Sequence, residues 1–130
     1  MSSFNVSVVC CDESDARFSR MAEAELSMEK IGELTLETIQ QQGDPNAERE
    51  MHNAAHHADY GPVTYLQHVH EGGFAVMVGE PGKLQEHFFG PDEYVAFMDD
   101  EGPGHASKVG PDGVKRTLRI LQGHLDLVSQ

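Results

Sequence analysis

Tryptophan is absent, aromatic residues make up only 7% of the chain, and nine Lys and Arg face 22 Asp and Glu across 130 residues. The shortage of bases leaves a formal charge of −13, so phosphate backbones and anionic membrane surfaces should repel this protein. Nucleic acid and membrane are excluded as partners on that ground, and a basic protein surface is the partner that fits. The two cysteines, Cys10 and Cys11, are neighbours. Adjacent strand residues point to opposite faces, so a bridge between them would need a strained turn, and a disulfide framework is excluded. No apolar run is long enough to span a membrane, and the run over residues 4–11 lacks the basic start and length of a signal peptide. These absences point to a cytoplasmic, reducing environment. Gly-rich phosphate loops, Gly-x-Ser-x-Gly elbows and Cys-x-x-Cys pairs are missing as well.

What is present describes one globular domain over residues 1–130, with a 38% apolar and 24% charged share. Residues 1–60 carry 12 acids against four bases, and residues 61–130 carry ten against five. The acid therefore decorates a folded surface and forms no tail.

Alternation of Phe4, Val6, Val8 and Cys10 predicts a buried first strand. Phe18, Met21, Ala22 and Glu25 keep helical spacing, which predicts a helix to about Met28, extended to about Gln42 and stopped at Gly43. Asp44-Pro45 predicts a new helix start. Ala47, Met51, Ala54 and Ala58 would form its packing stripe. Residues 63–89 read as a three-stranded meander, with Glu71-Gly72-Gly73 as its first turn and Glu80-Pro81-Gly82-Lys83 as a type II turn. In that register His87 lies opposite Val76, while His68 and His70 share the face that Tyr65 and Val69 do not use. A short helix after Gly90-Pro91-Asp92, a Gly/Pro-rich loop over residues 101–113 and a final helix through Val114, Leu118, Leu121, Leu125 and Val128 complete the reading. The expected class is α+β: a small antiparallel sheet, built from the N-terminal strand and the 63–89 meander, backed by helices. The final helix offers a heptad seam through which a homodimer could form.

Histidine is the one concentrated chemical resource. Six of the eight lie between residues 52 and 87, and His52, His56, His57, His68 and His70 fall within 19 residues. On a helix, His52 and His56 would stand one turn apart and could share a metal ion, with His57 turned to solvent. Zincin helices use this spacing with a glutamate after the first histidine, where this chain has Asn53. The pair His68-Val69-His70 resembles the first half of the cupin metal motif. The later glutamate and second histidine of that motif are missing, and the expected helices do not suit a jelly roll.

Two functional readings follow. The first is a small acidic binding or inhibitor protein, of the toxin-neutralising or phage anti-defence type by its composition, meeting a basic protein surface and needing no cofactor. The second is a metal-dependent enzyme or metal-binding protein that holds a divalent transition metal such as zinc with His52, His56, His68 and His70. Lys115, Arg116 and Arg119 form the only basic cluster, which is too small for a nucleic-acid site.

Overall fold

The computed structural model describes residues 2–54 and 57–128, and strands dominate it. Strands β1 (Phe4–Cys11) and β2 (Ser19–Leu26) precede a single short helix among the described residues, α1 (Met28–Leu34). Then come β3 (Thr35–Gly43), β4 (Glu48–His52), β5 (Val63–Val78), β6 (Gln85–Phe89), β7 (Tyr94–Phe97) and β8 (His105–Gln122). The α+β expectation, with a small sheet backed by helices, is thus overturned. The protein is an eight-stranded mixed sheet in the order β2-β1-β7-β5-β8-β3, with β4 added on β8 and β6 on β5.

Two long strands shape it. The first half of β5 pairs with β7 and with the second half of β8, while its second half pairs with β6 and the first half of β8. Strand β8 likewise carries β3 on its second half and β4 on its first. The result is a larger layer, β2-β1-β7-β5-β8-β3, and a smaller one, β6-β5-β8-β4, joined through bends in the same two strands. Register shifts at Val69/Glu71 and Gly72/Phe74 mark the bend in β5. At Gly72, with φ +69°, a Cβ would lie 2.0 Å from the carbonyl oxygen of Gly113, so only glycine lets the strands bend together there.

Each misread helix has a local cause. Ala22, Ala24 and Leu26 alternate along β2, and β1 claims them by pairing Val8 with Ala22 and Val6 with Ala24. Asp44-Pro45-Asn46-Ala47 is a turn, closed by Ala47 N–H donating to Asp44 C=O at 3.1 Å with Asn46 at φ +61°. Proline second and a positive-φ Asn third suit a type II turn as well as Pro suits a helix start. The expected final helix is the end of β8 followed by non-regular chain, so its apolar spacing provides no helical dimer seam. The 101–113 loop is mostly strand, since β8 begins at His105. Strand β1 and the β5–β6 hairpin stand as read, with His87 opposite Val76 and Lys83 N–H donating to Glu80 C=O at 2.8 Å in the turn.

Two apolar clusters hold the layers. Val9, Val69, Phe74, Val76, Phe89, Val95 and Phe97 pack between them. On the outer side of the larger layer, Val6, Val8, Leu66 and Leu121 are covered by Ile31 of α1 and by Leu125. No helix among the described residues is long and apolar enough to cross a membrane.

Candidate functional site

The inner faces of the two layers do not fill the space between them. A cavity of about 330 Å³ remains, walled by Phe74, Phe97, Leu118, Tyr65 and Ala54 and lined on its polar side by Gln41, Arg49, His52, Asn53, Gln67, His105, Ser107 and Arg116. In a chain of charge −13, two arginines and two histidines face this cavity and, among the described residues, no carboxylate lines it.

Strand pairing explains the convergence. Gln41 lies opposite Arg116 across β3 and β8, and Gln67 lies opposite Leu118 across β5 and β8. His52 lies opposite His105 across β4 and β8, bringing their ring centroids to 4.5 Å. The Arg116 guanidinium stacks 4.5 Å over the Phe74 ring, and its Nε–H donates to Gln41 Oε1 at 3.3 Å. Burial, then the neighbouring Arg49 charge, weigh against the charged form of Arg116. Among the described residues Arg116 makes no ion pair.

His105 is buried and fixed from behind. Its Nδ1 lies 2.7 Å from Asp99 Oδ2, an oxygen that also accepts from Ser19 Oγ at 2.6 Å, and its ring stacks on Phe97 at 4.6 Å. Asp99 is fully buried, and its other oxygen, Oδ1, has no hydrogen-bond partner among the described residues. His52 Nδ1 lies 2.8 Å from the Glu50 carbonyl oxygen. Both acceptors require Nδ1 to carry a proton. Burial pushes the His52 pKa down, helped by His105 and Arg49 and opposed by the Glu50 carbonyl and Asp99. His52 is thus the neutral, proton-accepting member.

The histidines singled out by sequence separate. Only His52 reaches the cavity, and His56 lies outside the described residues. His68 and His70 occupy the opposite face of β5 from Tyr65 and Gln67, so the four-histidine site does not assemble. His57 stacks on Tyr60 at 4.5 Å, away from the cavity. Among the described residues no three His, Cys, Asp or Glu side chains gather as a metal would require. The residues that sequence reasoning missed are His105, Arg49, Arg116, Gln41 and Gln67. Their available signal was alternation: Val114, Arg116, Leu118 and Ile120 recur at period two.

Titration of these groups predicts a stability plateau. The folded state holds His52 and His68 below their ordinary value of 6.5, so on acidification the unfolded chain takes up protons first. Their contribution is complete above 6.5 and is lost as the pH falls. Cys10 is pushed up from 9.0 by burial, so its contribution is complete below 9.0 and is lost as the pH rises through the folded value. Urea midpoints followed by circular dichroism should be highest between these limits. A midpoint that rises on acidification through the histidine range would contradict the assignment.

No protein-family model matches the chain, and no curated protein matches it. Among solved structures, a Trp-to-Phe variant of oxalate decarboxylase from B. subtilis is similar at 18% identity with a TM-score of 0.48. The match covers 95% of this chain, which spans about 30% of the length of that protein. The inhibitor expectation finds no support in this structure: the arginines and histidines able to do chemistry line the cavity between the layers.

Proposed function

We propose that the protein binds a small organic acid in the cavity between its two layers, with the ligand carboxylate on Arg116 and Arg49 and with His52 and His105 beside it for proton transfer. One observation carries this reading: the cavity gathers two arginines and two histidines with no lining carboxylate among the described residues. Arg116 is half-buried and makes no ion pair among the described residues, and a bound carboxylate is the charge that would complete it, through two parallel N–H···O bonds. Phe74, Phe97 and Leu118 supply the apolar wall that such a ligand's carbon skeleton needs. Asp99 orients His105 from behind, as a buried carboxylate orients a catalytic imidazole.

Calorimetric titration with a panel of small mono- and dicarboxylic acids tests the reading. At least one acid should bind saturably and raise the melting temperature, and its amide counterpart should do neither. Absence of binding by every acid in the panel, with the protein folded, would refute it.

A second reading, a divalent metal such as zinc held by the same histidines, is favoured by the approach of His52 to His105, 4.5 Å between ring centroids, with Nδ1 of each ring held by an oxygen. It needs a further ligand from Gln41, Gln67 or the bound acid itself. Retention of stoichiometric metal by untagged protein after dialysis, lost in His105→Ala, would support it. Metal-free protein with unimpaired acid binding would set it aside.

A further inference from the structure

A sheet that does not close leaves edge strands whose outward N–H and C=O groups can pair with another chain. Proteins blunt such edges with charge, short strands or a covering segment. Among the described residues the edges are β2, β3, β4 and β6, and all but β3 are blunted. Strand β2 carries Arg20, Glu23 and Glu25, and Val128 N–H donates to the Glu23 C=O at 2.9 Å. Strands β4 and β6 have five residues each, with Glu48, Arg49 and Glu50 on the first and Glu86 on the second.

Strand β3 has none of these devices along most of its length. It ends the larger layer and runs for nine residues with one charge, Glu37, and neither proline nor lysine. Strand β8 is its one partner strand among the described residues. Residues 36–40 are all exposed, and the large apolar side chains of Leu36 and Ile39 are each 37% exposed. A bulge at Leu36 lies near one end, which leaves residues 37–43 in unbroken register with β8.

This edge also lacks the negative charge that keeps copies of an acidic chain apart. Directly behind it on β8, Lys115 lies opposite Gln42, Arg116 opposite Gln41 and Arg119 opposite Thr38. An antiparallel pairing of β3 with its own copy, about a two-fold axis at Ile39, sets the two Ile39 side chains together. Thr38 then meets Gln40 of the copy, and Glu37 meets its Gln41. The row through Glu37 continues to Arg116 of the copy, two strand spacings or about 10 Å away. Each acid therefore looks towards the other copy's bases, and no two acids are opposed.

We propose that β3 is a self-association edge, through which two copies of the chain pair antiparallel about Ile39 into one continuous sheet. The occupant is a second copy because the strand complements itself, apolar at the axis and opposite in charge on either side. Such a pairing closes at two, since the blunted edges elsewhere do not extend it. It does not require the acid-binding reading, and association is measured with no acid present.

Sedimentation velocity provides the first test. The mass should move from one chain towards two over roughly micromolar to millimolar concentrations, as suits a small interface. Amide hydrogen exchange in residues 37–43 should slow over the same range. Ile39→Lys, which opposes two like charges at the axis, should weaken the dimer about tenfold or more and leave the dilute protein folded. Ile39→Cys should cross-link under mild oxidation above the background set by Cys10 and Cys11 in the native chain. Opposed residues of antiparallel strands lie about 4.5–5.5 Å apart at Cα, within disulfide reach, whereas Gln40→Cys is out of register and should not cross-link. If Ile39→Lys does not fold, exchange in the native chain and the two cysteine variants still decide the matter. A chain monomeric throughout, β3 exchange independent of concentration, a dimer indifferent to Ile39→Lys, or equal cross-linking at both positions would overturn the proposal.

Discussion

Gly104→Ala is expected to lose roughly 3 kcal/mol or more of stability and to pull His52 away from His105. Gly104 sits at φ +80°, where alanine already costs on the order of 1–2 kcal/mol. A Cβ there would lie 1.9 Å from the His52 carbonyl oxygen, 2.1 Å from its carbon and 2.4 Å from the Asn53 nitrogen. All three are backbone atoms, so no side-chain rotation relieves the clash. Strand β4 must move off β8, losing ladder hydrogen bonds worth about 1 kcal/mol each. The same residue therefore controls both an edge of the smaller layer and the pairing that brings His52 to His105. Urea denaturation gives the stability change, and histidine NMR gives the ring separation through loss of their mutual shifts. A variant within about 0.5 kcal/mol of the parent, an ordinary surface effect, would show that β4 is not held there.

How far the sequence discloses such a site depends on whether a local signal has one meaning. Val6, Val8 and Cys10 alternate with no competing period, and Pro81-Gly82 fits one turn type, so β1 and the β5–β6 hairpin are legible. Asp44-Pro45 fits a helix start and a turn equally, and only the positive φ of Asn46 decides between them. Glu71-Gly72-Gly73 reads as a hairpin turn, yet β5 runs on through it. The deciding partner is Gly113, 41 residues away, whose carbonyl occupies the space beside Gly72. Val114, Leu118 and Leu121 satisfy a helical spacing although Leu118 and Leu121 face opposite sides of a strand, towards the cavity and the outer cluster. Alternation was broken in appearance by Arg116, an inward arginine that a hydrophobicity pattern counts as surface. The site hid for the same reason. Histidines crowded in sequence were set on different faces, while His52 met a histidine from the far end of the chain by strand pairing.

Arg116→Met should separate stability from function. The methionine keeps an unbranched stem that can lie over Phe74, and it removes a charge that burial and Arg49 both oppose. Against this stands the loss of one hydrogen bond to Gln41, which is half-exposed and can turn to water. Replacing a poorly compensated, half-buried charge with an apolar side chain of similar volume is commonly neutral or favourable, so ligand-free stability should hold or rise by up to about 1 kcal/mol. Acid binding should fall about a hundredfold or more, roughly 3 kcal/mol, because the charge-assisted bonds to the carboxylate disappear. Arg116→Lys should recover only part of that loss, since an ammonium offers no planar pair of donors. Chemical denaturation without added acid and calorimetry with it measure the two effects separately. If the methionine variant lost stability while binding the acid as before, Arg116 would be a structural residue of the layer interface. If stability rose as affinity collapsed, the protein would be carrying a half-buried charge without an ion pair, at a cost that only the ligand offsets.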